Sequence, residues 1–327
     1  MTEVSAVSEE VPAPPSPRGG AAGVAGAGVA GQAIAFLTAP ILARALGPSG
    51  RGTVALLGVY DELSTNLFNA GLPSAVGFAA KEGRASVAAL LGATRRFNLF
   101  LLPVSIAAGI AVAVWPLAHL TMSARVAGFA LVALSPVANT YLIACRNILM
   151  AQGDMVTLRN LPLVQAVVRA VAIVSLLMLG GMNPTVAAVT LSASVLVANA
   201  VAWRRVKARA GPPAPLAPLL GFGLRSLPGS LSNLANNRLD QILIAPMLGT
   251  RALGLYAVAV GITFVPVQVG AGLAYASFRH VRTDGLTGRA GPAAMLIRRA
   301  WLVTAAACAA TGLASLLGLR LLYGDAF

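Results

Sequence analysis

Charge is what this 327-residue sequence has least of: Asp and Glu together number 10, and all charged residues make up 10% of the chain. A water-soluble surface cannot be assembled from so little, since soluble domains carry about 25% charged residues. Histidine and cysteine are as scarce, at two each. Cys145 and Cys308 form no C-x-x-C, and His119 and His280 stand alone, so neither a disulfide framework nor a zinc set is indicated, and no metal or cofactor is expected. Short alternating segments rich in turn signals, which a membrane barrel needs, are missing too. So is any connection long enough to house a globular catalytic domain, which argues against a membrane-bound enzyme.

What is present is apolar. Hydrophobic residues reach 57% and the mean hydropathy is +0.79. They come in runs of about 20, the length of helix that crosses about 30 Å of hydrocarbon. Only helices satisfy their own backbone in such a solvent. The expected fold is therefore all-α and integral to a membrane, with nine spans: 21–43, 53–77, 97–115, 126–149, 161–179, 184–201, 227–248, 253–274 and 300–319. The first 20 residues, acidic and Pro-rich, read as a disordered cytoplasmic tail that lacks the basic start of a cleaved signal.

The basic residues set an orientation. With the N-terminus in the cytoplasm, 17 of the 24 lie in inner connections and five, Arg44, Arg51, Arg125, Arg251 and Arg320, in outer ones, while Arg169 and Arg238 fall inside spans. That bias satisfies the positive-inside rule; the expected location is a bacterial cytoplasmic membrane. The net charge of +14 is spread over alternate loops, where topology and anionic lipid headgroups account for it, so no nucleic-acid partner is expected. The stretches 83–96 and 280–299 read as interfacial helices with arginines at the headgroups.

A repeat runs through the chain. Leu46-Gly47-Pro48-Ser49-Gly50-Arg51-Gly52 recurs as Leu248-Gly249-Thr250-Arg251-Ala252-Leu253-Gly254, a shift of 202. Gly71-Leu72 recurs as Gly272-Leu273, and Arg95-Arg96 as Arg298-Arg299, shifts of 201 and 203. The common register predicts a duplicated six-helix unit whose copies run parallel. The expected organisation is a first lobe over 21–209 and the first half of a second over 210–327. Three helices of the second copy, roughly 80 residues, would then lie beyond Phe327, and the alternative is a nine-helix protein in its own right.

The stretches ILARALGPSGRG, RNILMAQGD, NNRLDQILIAPMLGTRALGLYAVA and LLYGDAF resemble the polysaccharide-biosynthesis or O-antigen flippase family, within the multidrug/oligosaccharidyl-lipid/polysaccharide exporter superfamily. The resemblance covers nearly the whole chain and rests on helix-end and turn patterns. It implies two lobes facing a central cavity that opens alternately to each side, a polyprenyl-diphosphate-linked saccharide as cargo, and membrane lipids as surroundings. The drug-exporter branch implies instead a coupling ion, H+ or Na+, and characteristically an acid in the first helix, which span one lacks.

Ionisable groups at membrane depth are costly and default to sites. Asp61, Glu62, Arg169, Arg238 and Asp240 lie near the midplane at a rise of about 1.5 Å per residue. Glu62, Asn66 and Asn69 share one face of span two; Ser226, Ser230, Asn233, Asn237 and Asp240 form a stripe on span seven. Both faces are expected to line a cavity. Arg169 and Arg238 suit a diphosphate through their donor forks. Equally, they can neutralise Asp61, Glu62 or Asp240 across helices and fix packing. Arg238 and Asp240 point to opposite sides and cannot pair with each other. Gly19, Gly23, Ala27 and Gly31 offer a small-residue face for close helix contact. Gly26-Ala27-Gly28-Val29-Ala30-Gly31 matches a dinucleotide fingerprint in letters only, having no strand before it and no acid about 20 residues on. The expected function is flipping of a lipid-linked oligosaccharide by alternating access, against an ion-coupled multidrug exporter or a non-transporting scaffold.

Overall fold

The computed structural model describes residues 20–285 and 290–324. Its helices, in chain order, are α1 (Gly20–Phe68), α2 (Leu72–Lys81), α3 (Val87–Val114), α4 (Met122–Ala151), α5 (Met155–Met178), α6 (Pro184–Arg205), α7 (Leu216–Gly285) and α8 (Ala290–Tyr323). No strand occurs among the described residues. Among the described residues, five helices or helical stretches are long and apolar enough to cross a membrane: Val87–Val114, Met122–Ala151, Val156–Met178, Pro184–Arg205 and Leu216–Phe264. Their outward faces are apolar, with Leu99 68% and Trp115 86% exposed, which suits lipid and not water.

Local chemistry sets the boundaries. Ser86, Thr121, Asp154 and Asn183 each accept a backbone N–H in the first turn of α3, α4, α5 and α6, relieving the donors a helix start leaves unpaired. At Asp154 the Thr157 N–H (3.0 Å) and hydroxyl (2.7 Å) both reach the carboxylate. These bonds hold its carboxyl below the ordinary carboxylate range. A depressed carboxyl stabilises the fold above its unfolded pKa, and that contribution is lost as pH falls through its folded value. Asp154→Ala is accordingly expected to cost about 1 kcal/mol at neutral pH. Thermal unfolding in detergent reads this directly, and the gap from the parent should close under acid.

α1 and α7 are each two helical segments joined at a glycine elbow. Gly47 (φ 66°, ψ 176°) and Gly249 (φ 80°, ψ 174°) adopt a conformation essentially reserved for glycine. The two elbows are 202 positions apart. They meet at one end of the molecule: a Cβ on Gly52 would overlap the carbonyl of Thr250, and one on Gly254 that of Pro48. At the opposite end a Cβ on Gly71 would overlap the carbonyl of Gly223. The rings of Phe78 on α2 and Phe222 on α7 stack there, 4.6 Å apart and 12° from parallel, under the Arg84 guanidinium, 4.9 Å from the Phe78 ring centre. The second half of α1 thus runs beside the first half of α7, touching it backbone to backbone at both ends.

Two apolar cores flank the seam. One, at the elbow end, gathers Leu42, Leu57, Leu117, Leu131, Ala187 and Leu253; the other holds Leu72, Val76, Leu90, Leu91, Ile148 and Leu219. Between α3 and α4, Asn98 and Ser105 donate to the carbonyls of Val137 and Ala133 at 2.7 and 2.8 Å, on either side of Pro136, which interrupts the α4 ladder. The segment after α6 lies across the start of α3, where the Gly211 and Ala214 N–H groups donate to Ala88 and Ala89 at 2.8 and 3.0 Å. Gly92 admits it, since a Cβ there would meet the Gly211 carbonyl. Gly92→Val should detach this segment, raising its cleavage by added protease while the distant Asp154 cap is unaffected.

The structure corrects three expectations. The span placed at 53–77 ends at Phe68: Asn69 Oδ1 accepts the Gly71 N–H at 2.9 Å, Ala70 and Gly71 take positive φ, and a separate short helix follows. Residues 83–96 form no interfacial helix, because Ser86 starts α3 and Arg95 and Arg96 sit inside it. Arg51 belongs to no loop, since the chain is helical on both sides of Gly47. Of the small-residue face on α1, Gly31 lies against α5, where a Cβ would be 3.1 Å from the Pro162 carbonyl oxygen; Gly19 lies outside the described residues, as do the surroundings of Gly23 and Ala27 and residues 286–289 within the proposed 280–299 helix.

Candidate functional site

A cavity of about 600 Å³ opens between α1, α4, α5, α6, α7 and α8. Its volume falls in the range of small-molecule sites. Apolar residues such as Phe36, Leu191, Val260 and Phe264 form part of the wall. The polar part is concentrated: Arg51, Arg169 and Arg238 with Asp61, Glu62, Thr65, Asn66, Asn139, Ser192, Gln241 and Tyr323.

Helix geometry explains how two adjacent acids acquire different partners. Asp61 and Glu62 stand about 100° apart around α1. Asp61 turns toward α6, where the Ser192 hydroxyl donates to Oδ2 at 2.5 Å. Its Oδ1 and the Thr65 hydroxyl are buried with no hydrogen-bond partner among the described residues. Glu62 turns toward α7 and accepts from Arg238 Nε at 2.8 Å. Arg238 also donates through a terminal nitrogen to Gln241 Oε1 at 3.3 Å. Arg169, on α5, has its Nε buried with no partner among the described residues. Arg51, on α1, and Tyr323, at the end of α8, line the same cavity. Three guanidiniums therefore face one cavity that holds two carboxylates, and only the Arg238–Glu62 pair there is an ion pair among the described residues.

Of the residues singled out from sequence, Asp61, Glu62, Asn66, Arg169 and Arg238 line this cavity. Four others do not. Asn69 closes the turn after α1. Asn237 donates to Asn233 Oδ1 and to its carbonyl oxygen, each at 2.9 Å, on an exposed surface. Asp240 accepts from the Gln241 N–H at 2.7 Å and from the Tyr256 hydroxyl. Asn233, Asn237 and Asp240 thus find partners within α7, and it is their neighbours Arg238 and Gln241 that line the cavity. Arg51 and Tyr323 were missed. Arg51 was legible in principle, because Pro at the first position after a turn starts a helix, and Pro48 puts Arg51 one turn into it.

Long apolar helices around an arginine-rich cavity, paired at two glycine elbows, make a multi-pass membrane protein of exporter architecture. The chain belongs to the polysaccharide biosynthesis protein family, which it matches over residues 20–278. Among solved structures it is similar to the MATE multidrug transporter DinF-BH, with a TM-score of 0.53 and 14% sequence identity over 92% of this chain and 71% of that one. No curated protein matches it. Family and fold together make it a membrane exporter or flippase.

Proposed function

We propose that this chain flips a polyprenyl-diphosphate-linked oligosaccharide across the bacterial cytoplasmic membrane by alternating access, serving cell-surface polysaccharide synthesis. The N-terminus lies in the cytoplasm, so the elbows face outward and the Gly71–Gly223 crossing faces inward. The observation that carries this reading is the excess of cavity guanidiniums over carboxylates, with Arg169 half-buried, its Nε fully so, and lacking an acid partner among the described residues. An uncompensated buried cation is costly, and a phosphate-bearing ligand would relieve that cost through bidentate bonds. Asn66, Asn139 and Gln241 supply neutral hydrogen-bonding groups for sugar hydroxyls, and the apolar wall can take the start of a lipid chain. Residues 21–209 and 210–327 act as parts of two lobes that rock about the seam between α1 and α7.

Asp61 favours a second reading. A carboxylate that accepts from the Ser192 hydroxyl and pairs with no cation among the described residues suits a coupling H+ or Na+, as an ion-coupled multidrug exporter would require, and the similar structure is that of a multidrug transporter. The flippase reading is preferred because the cavity is cationic. A non-transporting scaffold would need no wet cavity. Cysteine placed at Asn66 is expected to react with a membrane-impermeant maleimide in at least one state, whereas cysteine at lipid-facing Leu99 should not; unreactive Asn66→Cys in every condition would favour the scaffold.

A further inference from the structure

The Glu62–Arg238 pair spans the seam between α1 and α7 at mid-height, between the elbow crossing and the Gly71–Gly223 crossing. It is not sealed in. The side chains of Arg238 and Glu62 are 32% and 41% exposed, and both line the cavity, so a dissolved anion can reach the guanidinium. Arg238 is tethered independently of Glu62 by its bond to Gln241, one turn along the same helix, so the fork would stay in place if the carboxylate withdrew. Glu62, by contrast, has no other charged partner within 4 Å among the described residues.

We infer that Glu62 occupies the anion position of Arg238 in the empty cavity and is displaced by the phosphate of the cargo, acting as a filter for ligand charge. The inference rests on reading the cavity as a diphosphate site. An intramolecular carboxylate competes at high effective concentration, so a ligand with a single negative charge gains nothing by replacing it. A diphosphate does gain, because it engages Arg238 bidentately and reaches Arg169 or Arg51 with its second phosphate. Displacement also removes a tie between α1 and α7, which links cargo binding to opening of the seam.

Titration calorimetry with inorganic pyrophosphate, on the full chain in lipid nanodiscs at fixed ionic strength, separates the possibilities. Glu62→Gln should bind pyrophosphate on the order of tenfold more tightly than the parent, the loss of one charged competitor. Arg238→Gln should bind more weakly than the parent, with or without the Glu62 change. Glu62→Asp keeps the charge on a shorter stem and should give a smaller gain; it also serves if Glu62→Gln fails to insert. Equal or weaker binding by both Glu62 variants, with the parent binding normally, overturns the filter and leaves the diphosphate site standing. No binding by any variant overturns both.

Discussion

Alanine at Arg169 or at Arg238 is expected to abolish rescue of a strain that lacks its own lipid-linked oligosaccharide flippase, while the protein still inserts in normal amounts. The two losses have different physical origins. At Arg169 the change deletes a half-buried guanidinium with no acid partner among the described residues, so no carboxylate there is left uncompensated and the effect should fall on cargo alone. At Arg238 it also strands Glu62, whose charge then faces the cavity without its counter-ion and repels the phosphates that Arg238 should hold. Both side chains are part-exposed, so solvent screens the stranded charge, and the loss comes chiefly from the missing donor fork. Arg169→Lys should recover only part of the activity, because an ammonium is a point charge and lacks the planar fork. Unchanged rescue by Arg169→Ala would remove that residue from the diphosphate site.

A comparable loss should follow from valine at Gly52 or Gly254, by a steric and not an electrostatic route. The elbow end of the seam closes because two glycines let the α1 and α7 backbones cross, with the Pro48 and Thr250 carbonyls occupying the space of the missing Cβ atoms. Neither obstacle is the end of a flexible side chain, so the backbones must part. The expected phenotype is a seam held open at the elbows: transport is lost, and a cysteine at cavity-lining Ala55 becomes more reactive to a reagent added from the elbow side. Gly221→Ala on α7, where nothing lies within 4 Å of a new Cβ, should leave both readouts near those of the parent. Normal transport by Gly52→Val would show that the crossing is not part of the working cycle.

Much of this was legible in the sequence, for reasons particular residues make plain. The apolar runs forced helices in lipid, and the Leu-Gly motifs at 46 and 248 marked two sharp bends because glycine alone tolerates the backbone angles found there. The opposed faces of Arg238 and Asp240 followed from helical spacing, and each finds a different partner, Glu62 and Tyr256. Periodicity could group Asn233, Asn237 and Asp240 on one face but could not say what that face meets. Asparagines one turn apart can satisfy each other, as Asn233 and Asn237 do. Span two was drawn too long because Leu72-Pro73-Ser74-Ala75-Val76 continues its apolar character. The break lies in Asn69-Ala70-Gly71, where the Asn69 side chain bonds the Gly71 N–H and two positive φ angles outweigh hydropathy. Gly-Pro-Ser-Gly reads as a turn that would leave Arg51 in a loop, whereas Pro48 restarts the helix at once. Tyr323 reaches the cavity only through tertiary packing of α8 against Ala43, Val258 and Ile262, which no local pattern announces.

Complementation tests the central claim most directly. Expressed in a strain without its own lipid-linked oligosaccharide flippase, the full-length gene should restore surface polysaccharide, and its Arg169→Ala and Arg238→Ala forms should not. Failure of the parent gene to restore polysaccharide, together with drug efflux driven by an H+ or Na+ gradient, would contradict the flippase account and assign the cavity to the multidrug branch.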